Sequence, residues 1–168
     1  TKTRTQWENR LFNNHYNKSL PFDRPKYGVC NVVHDIEGIK SCSQYGRSYM
    51  VLKHVRLRAT FSDKDSGYSD ALLATCQHYA HVLHTYSQKE LSAVADVASG
   101  AMKWGCKSSM ITKYKEVQIH GPLALAEHVD CLCAHPDELK QNASGFKQML
   151  NKFQQKHGVN VIYIEKQS

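Results

Sequence analysis

The chain has 168 residues, 41% of them hydrophobic and 22% charged, with nine Gly and four Pro. That suits one domain with its own apolar core and excludes collagen-like, linker-like and disordered chains. The net charge is +7, and residues 1–84 hold 12 basic against 7 acidic side chains; this points to an anionic partner (a nucleic acid, a phosphorylated cofactor or an acidic protein) or, more plainly, to a solvated basic surface.

No apolar run is long enough to span a membrane, and Thr1–Trp7 has no apolar stretch of the signal-peptide kind, so a cytoplasmic protein without membrane contact is expected. Cysteines stand at 30, 42, 76, 106, 131 and 133. Their even number allows three disulfides. The length permits a core without staples and the spacing fits no small secreted scaffold, so reduced packing thiols are expected.

In chain order, residues 1–16 read as a short helix with Trp7, Leu11 and Phe12 on one face. Leu20–Pro25 holds two prolines and breaks regular structure. Lys26–Val33 reads as a strand and Asp35–Ser43 as a polar loop. Ser48–Phe61 reads as one long strand, with Val51, Val55, Leu57 and Phe61 on one face and His54, Arg56 and Arg58 on the other. Ser62–Ser69 is turn-rich.

A helix capped by Asp70 is expected next, carrying Leu72, Leu73, Cys76, Tyr79, Ala80 and Leu83. A second begins at the capping box Ser87…Glu90 and fades near Gly100. Ile111–His120 reads as a strand. Pro122 then opens a predicted helix over 122–134, and Asp137–Lys156 a further one that stops at His157-Gly158. Val159–Glu165 closes the chain as a strand. This mixed order predicts an α+β fold.

One segment stands out chemically. Alternation in Tyr114–Gly121 puts Tyr114, Glu116, Gln118 and His120 on one face, about 6.6 Å apart in turn. Phenol, carboxylate, amide and imidazole in a row can read a polar ligand and set a carboxylate at a reacting centre. The plainer reading is a solvent-facing edge strand. In Phe22–Gly28, Arg24 and Lys26 can grip phosphate and Tyr27 can stack on a flat ring, or the loop merely leads into a strand.

His128, Cys131, Cys133 and His135 offer four ligand types in eight residues. On the predicted helix, however, the two thiols diverge by about 200° and cannot share one ion, so no metal is expected. The row His78, His81, His84 reads likewise as ordinary histidines. Dinucleotide, Walker, zincin and serine-hydrolase motifs do not occur.

The runs Trp7-Glu8…Leu11-Phe12…Tyr16 and Arg24-Pro-Lys-Tyr-Gly28…Asn31, the segment Ser41–Ser48, then Arg58…Thr60-Phe61…Asp65-Ser66 and Tyr114…Glu116…Gln118…His120-Gly121…Leu125 occur in this order. Together they resemble the CteC-like mono-ADP-ribosyltransferases, a bacterial effector family formerly filed as a domain of unknown function. The likeness covers residues 7–66 and 114–130.

The resemblance implies a single ADP-ribosyltransferase-like domain over residues 1–168, with a split, mostly antiparallel sheet and flanking helices. It implies that ADP-ribose moves from the co-substrate NAD to a protein hydroxyl, a threonine of ubiquitin being the acceptor the family suggests. Glu116 would be the catalytic carboxylate. Phe12 and Tyr27 would stack on the rings of NAD, Arg24 would take the pyrophosphate, Ser48 would support Glu116, and Gln118 and His120 would position ribose or acceptor. A secreted effector would act in the host cytosol.

The family's upstream strand, with an Arg that holds NAD, has no counterpart in the sequence. That strand belongs to a longer protein, or its role is filled elsewhere, or NAD binding is lost. Two alternatives therefore stand beside the enzyme: an inactive protein-interaction domain on the same fold, and a basic nucleic-acid-binding module using His54, Arg56, Arg58, Arg24 and Lys26 on phosphate.

Overall fold

The computed structural model describes residues 2–102, 110–139 and 143–165. The fold is α+β, with one antiparallel sheet, one mixed sheet and flanking helices. Contacts divide the chain into two compact units, each built from three segments. The first is Thr1–Cys30, Val55–Leu91 and Lys113–Leu123; the second is Asn31–His54, Ser92–Thr112 and Ala124–Ser168.

The first unit holds helix α1 (Lys2–Leu11) and four strands: β1 (Lys26–Val29), β3 (Ala59–Ser62), β4 (Leu73–Thr75) and β5 (Glu116–Ile119). They form an antiparallel sheet in the order β1-β5-β3-β4, so β5 is an interior strand. Its register sets Glu116 between Val29 and Ser62, and Gln118 between Tyr27 and Thr60. Register partners share a face of the pleat. One face therefore carries Tyr27, Thr60, Ser62, Glu116 and Gln118, while Gly28, Phe61, Ala74 and Val117 take the other. A short helix α2 (Ala80–Leu83) and the start of α3 (Gln88–Ala98) complete this unit.

The second unit holds β2 (Tyr49–Leu52), β6 (Val129–Ala134) and β7 (Asn160–Tyr163), with α4 (Leu125–His128), α5 (Pro136–Leu139) and α6 (Ala143–His157). The strand order is β2-β6-β7, and the β6–β7 pair is parallel, joined through α5 and α6. Its core is apolar in the ordinary way: Val33, Ile39, Val97, Val129, Leu150, Val159 and Ile164 are buried. The first unit is different. Its fully buried large side chains include Lys115, Gln118 and Glu8. Buried polar groups persist only when partnered, so this unit holds the informative chemistry.

Several expectations are met. Ser87 and Glu90 form the capping box at α3: the Ser87 N–H donates to Glu90 Oε2 at 2.8 Å, and the Glu90 N–H donates to Ser87 Oγ at 3.3 Å. Gly158, with φ +65°, ends α6 and returns its N–H to the Gln154 carbonyl at 2.8 Å. The strands at 26, 111 and 159 exist but are shorter than expected, and the Asp137–Lys156 helix is two helices, with residues 140–142 outside the described ones.

Three expectations are overturned. Ser48–Phe61 is not one strand. A register shift at Val51/Leu52 and a left-handed His54 (φ +58°) end β2, and a short 3-10 turn, Arg56–Arg58, precedes β3, which belongs to the other sheet. The face of His54, Arg56 and Arg58 is thus not formed. Residues 72–75 are not helical: Asp63 Oδ1 accepts the Leu72 N–H at 2.7 Å and Leu73–Thr75 pairs with β3. Residues 122–134 form α4 and then β6, in which Val129, Cys131 and Cys133 are buried and Asp130 is exposed.

Candidate functional site

The site grows from α1 and β5. On α1, Glu8 is completely buried and receives Arg4 Nε at 2.7 Å and Arg24 Nε at 2.7 Å. Arg24 adds an Nη2 contact at 2.5 Å, and the Tyr27 hydroxyl donates to Glu8 Oε1 at 3.4 Å. Burial, and then the Glu8 charge, push the Tyr27 phenol far up, so it stays a neutral donor. Arg24 is therefore engaged with an anion inside the chain, where the resemblance implied a pyrophosphate. Tyr27 lies under the Arg4 guanidinium, 5.4 Å from its ring centre.

On β5 a chain of hydrogen bonds runs along the polar face. Thr60 Oγ1 donates to Gln118 Oε1 at 2.9 Å, and the Gln118 amide donates to Glu116 Oε1 at 2.9 Å and to Ser62 Oγ at 3.1 Å. The Thr60 hydroxyl also meets His120 Nε2 at 2.9 Å, and Tyr16 Oη meets His120 Nδ1 at 2.6 Å. A hydroxyl has one proton. Because Thr60 gives its proton to Gln118, it must accept from His120, so Nε2 carries hydrogen and Nδ1 accepts from Tyr16. Every donor in Tyr16–His120–Thr60–Gln118–Glu116 then faces the same way, toward the carboxylate, and each bond polarises the next.

The three titratable groups of this chain are shifted, the Tyr16 phenol upward by burial and then by Glu8. Burial raises the Glu116 carboxyl, while hydrogen bonds from Gln118 and Ser66 act to hold it ionised. Burial, with His15 nearby, lowers His120 and favours its neutral form. Phe12 stands edge-on to the His120 ring at 5.0 Å and to Tyr16 at 5.6 Å.

Of the residues singled out in the sequence, Glu116, Gln118, His120, Phe12 and Tyr27 thus meet in one connected set, and Arg24 joins through Glu8. Ser48 belongs to the second unit. There its hydroxyl accepts the His135 N–H at 3.0 Å and its own N–H donates to Glu138 Oε2 at 3.1 Å; the Glu116 carboxyl takes its hydrogen bonds from Gln118 and Ser66.

Glu8, Tyr16, Thr60 and Ser66 stand in the runs that carry the family resemblance but have no assigned role there, and Ser62 lies outside the quoted residues. Glu8 also has a local signal, an acid four residues after Arg4. A cavity of about 240 Å³ adjoins the set, lined by residues 57–60, 75–77 and His120.

Cys131 and Cys133 share the buried face of strand β6, so the helical argument against a shared ion does not apply. Among the described residues no group of three or more His, Cys, Asp or Glu can hold a metal. Cys30, Cys76, Cys131 and Cys133 form no disulfide among the described residues, and Cys106 lies outside them. Burial pushes the Cys30 thiol up to about 11. No described helix is long and apolar enough to cross a membrane.

A family described as a protein of unknown function, DUF3626, matches residues 1–104, and the chain belongs to it. No curated protein matches the sequence. The matched span holds Glu8, Phe12, Tyr16, Arg24, Tyr27 and Thr60 and ends before β5 and Glu116.

Proposed function

We propose that the chain is a mono-ADP-ribosyltransferase that moves ADP-ribose from NAD to a protein hydroxyl in a cytoplasm, with Glu116 as its catalytic carboxylate and a threonine of ubiquitin as the acceptor to test first. One observation carries this reading: a buried carboxyl on an interior strand, raised by desolvation and oriented by a one-way hydrogen-bond chain. In the transfer, the bond from the ribose C1′ to nicotinamide breaks and nicotinamide leaves with the electron pair. The acceptor oxygen bonds to C1′ and its proton goes to a base or to water. A preorganised carboxylate stabilises the positive charge that develops on the ribose. Phe12 offers an aromatic face, and Gln118 and His120 hold the carboxylate's surroundings in place. In this reading Arg24 braces Glu8 rather than NAD.

An interaction domain without catalysis is the second reading. It is favoured by how fully the polar face satisfies itself, with Gln118 completely buried and bonded at both ends.

Incubation with NAD and ubiquitin, followed by intact mass of both proteins, separates the two. One ADP-ribose added to ubiquitin by the wild type and none by Glu116→Gln supports the transferase. No addition, together with no NAD binding by calorimetry, refutes it and leaves the interaction domain.

A further inference from the structure

We propose that Arg10, an exposed residue in the last turn of α1, is a positioning residue for Glu116 and acts through Ser66. The starting point is the turn Asp65–Tyr68. The Tyr68 N–H donates to the Asp65 carbonyl at 3.1 Å. The Asp65 carboxylate accepts the Gly67 N–H at Oδ1 (2.6 Å) and the Tyr114 hydroxyl at Oδ2 (3.1 Å). The turn is tight, since a Cβ on Gly67 would stand 2.8 Å from Asp65 Oδ1 and 3.5 Å from the Trp7 ring. Arg10 Nη2 donates to two carbonyls of this turn, that of Ser66 and that of Tyr68, the latter at 2.8 Å. The two hydrogens of Nη2 diverge in one plane, which suits two carbonyls two residues apart; an ammonium lacks that planarity.

Ser66 connects the turn to the site. It is 1% exposed, and both its N–H and its hydroxyl donate to the Glu116 carboxyl. A peptide unit is planar, so a residue is oriented once the peptide planes on either side of it are held. Tyr114 holds the Asp65 side, and Arg10 holds the carbonyl plane that follows Ser66. Together they fix where the N–H and the Cβ of Ser66 point, and so the direction from which Glu116 is reached. Gln118 reaches the same carboxyl from β5 itself, at 2.9 Å. Glu116 is thus held from two elements, and one of the two depends on a side chain of α1. The consequence for turnover rests on the transferase reading above; the coupling of Arg10 to Glu116 does not.

The test is titration of the Glu116 carboxyl by carbon NMR in the whole chain. Ser66→Ala removes a donor to the ionised form and should raise the Glu116 midpoint by about one pH unit, the tenfold change of one charge-assisted hydrogen bond. Arg10→Ala and Arg10→Lys should each raise it by about half a pH unit. Arg10→Lys keeps the charge, so a lysine variant with the wild-type midpoint assigns any effect of alanine to charge alone and overturns the proposal. The double variant Ser66→Ala with Arg10→Lys should fall clearly short of the sum of the two, because Arg10 acts through Ser66; full additivity overturns it as well. In transfer from NAD to ubiquitin, Arg10→Lys should lower kcat about threefold with KM for NAD unchanged. A loss confined to KM would place Arg10 at the ligand and overturn the positioning role. A wild type that transfers nothing refutes the transferase reading, and the titration then still decides the role of Arg10.

Discussion

Glu8 is the point at which the first unit should be most sensitive. It is completely buried and bonded to two guanidinium groups, with Tyr27 as a fourth contact. Glu8→Gln keeps the shape and removes the charge. The amide nitrogen then meets the donors of Arg4 or Arg24, and both cations lose their counter-charge. Removing one partner of a buried ion pair costs about 3–5 kcal/mol. Here the Arg4 side chain is 41% exposed and can be rehydrated, whereas Arg24 is 21% exposed. The expected loss is therefore at the lower end, about 3 kcal/mol. For a chain of this length that lowers Tm by roughly 6–12 °C. Circular dichroism melts and urea midpoints measure it. A double-mutant cycle with Arg24→Met should show Glu8–Arg24 coupling of at least about 1 kcal/mol. A Glu8→Gln variant that melts within a degree of wild type would refute the reasoning, because the carboxylate would then be no more than a surface charge.

Three further outcomes follow from the site. Thr60→Val leaves Gln118 Oε1 without its donor and His120 Nε2 without its acceptor, and should cost about 1–3 kcal/mol; nitrogen NMR of His120 should show hydrogen on Nε2 in the wild type and a mixture of tautomers in the variant. Glu116 is held above its ordinary value of 4.5 by burial, so the folded state keeps its proton longer than the unfolded state. Its contribution is fully present below pH 4.5 and lost as pH rises through the raised value; urea midpoints of Glu116→Gln should lack that decline, and an unchanged slope would count against a desolvated carboxyl. His54→Gly relieves a left-handed φ of +58° and should raise stability by about 0.5–1 kcal/mol, read from the same melts.

The sequence was legible where local rules decide. The period-two row on β5 and the Ser87–Glu90 box are read from neighbouring residues, and both stand in the structure. It was misread where distant partners decide. Leu72, Leu73, Cys76, Tyr79 and Leu83 carry helical spacing, yet a short apolar run is also strand-competent, and pairing with β3 plus the Asp63 hydrogen bond selects the strand. In residues 122–134 the proline signal outweighed an alternation that was present all along, Val129-Asp130-Cys131-Leu132-Cys133. The break at His54 carries no sequence mark, because histidine only uncommonly takes a left-handed conformation. At the site, β5 gave up its own residues readily. Their partners Thr60 and Tyr16 lie 58 and 104 positions away from them along the chain, so local spacing does not show the pairing although both residues stand in the quoted runs.

The difference between the two cores is the strongest physical argument for where function resides. An apolar core is the lower-cost way to stabilise a sheet, and the second unit uses it. The first unit buries Glu8, Lys115, Glu116 and Gln118 beside its apolar Val82, Tyr86 and Ile119, and each of these polar groups must be matched by oriented partners. For Lys115 the match is structural: its ammonium donates to Thr85 Oγ1 at 2.7 Å and the Asp63 carbonyl at 3.1 Å, and lies over the Tyr86 ring. For Glu116 the match is directional, with Tyr16, His120, Thr60 and Gln118 all donating toward it. Stability alone would be served as well by two apolar side chains at 116 and 118. What apolar side chains could not supply is a carboxyl held in one orientation by a chain of hydrogen bonds that all run toward it.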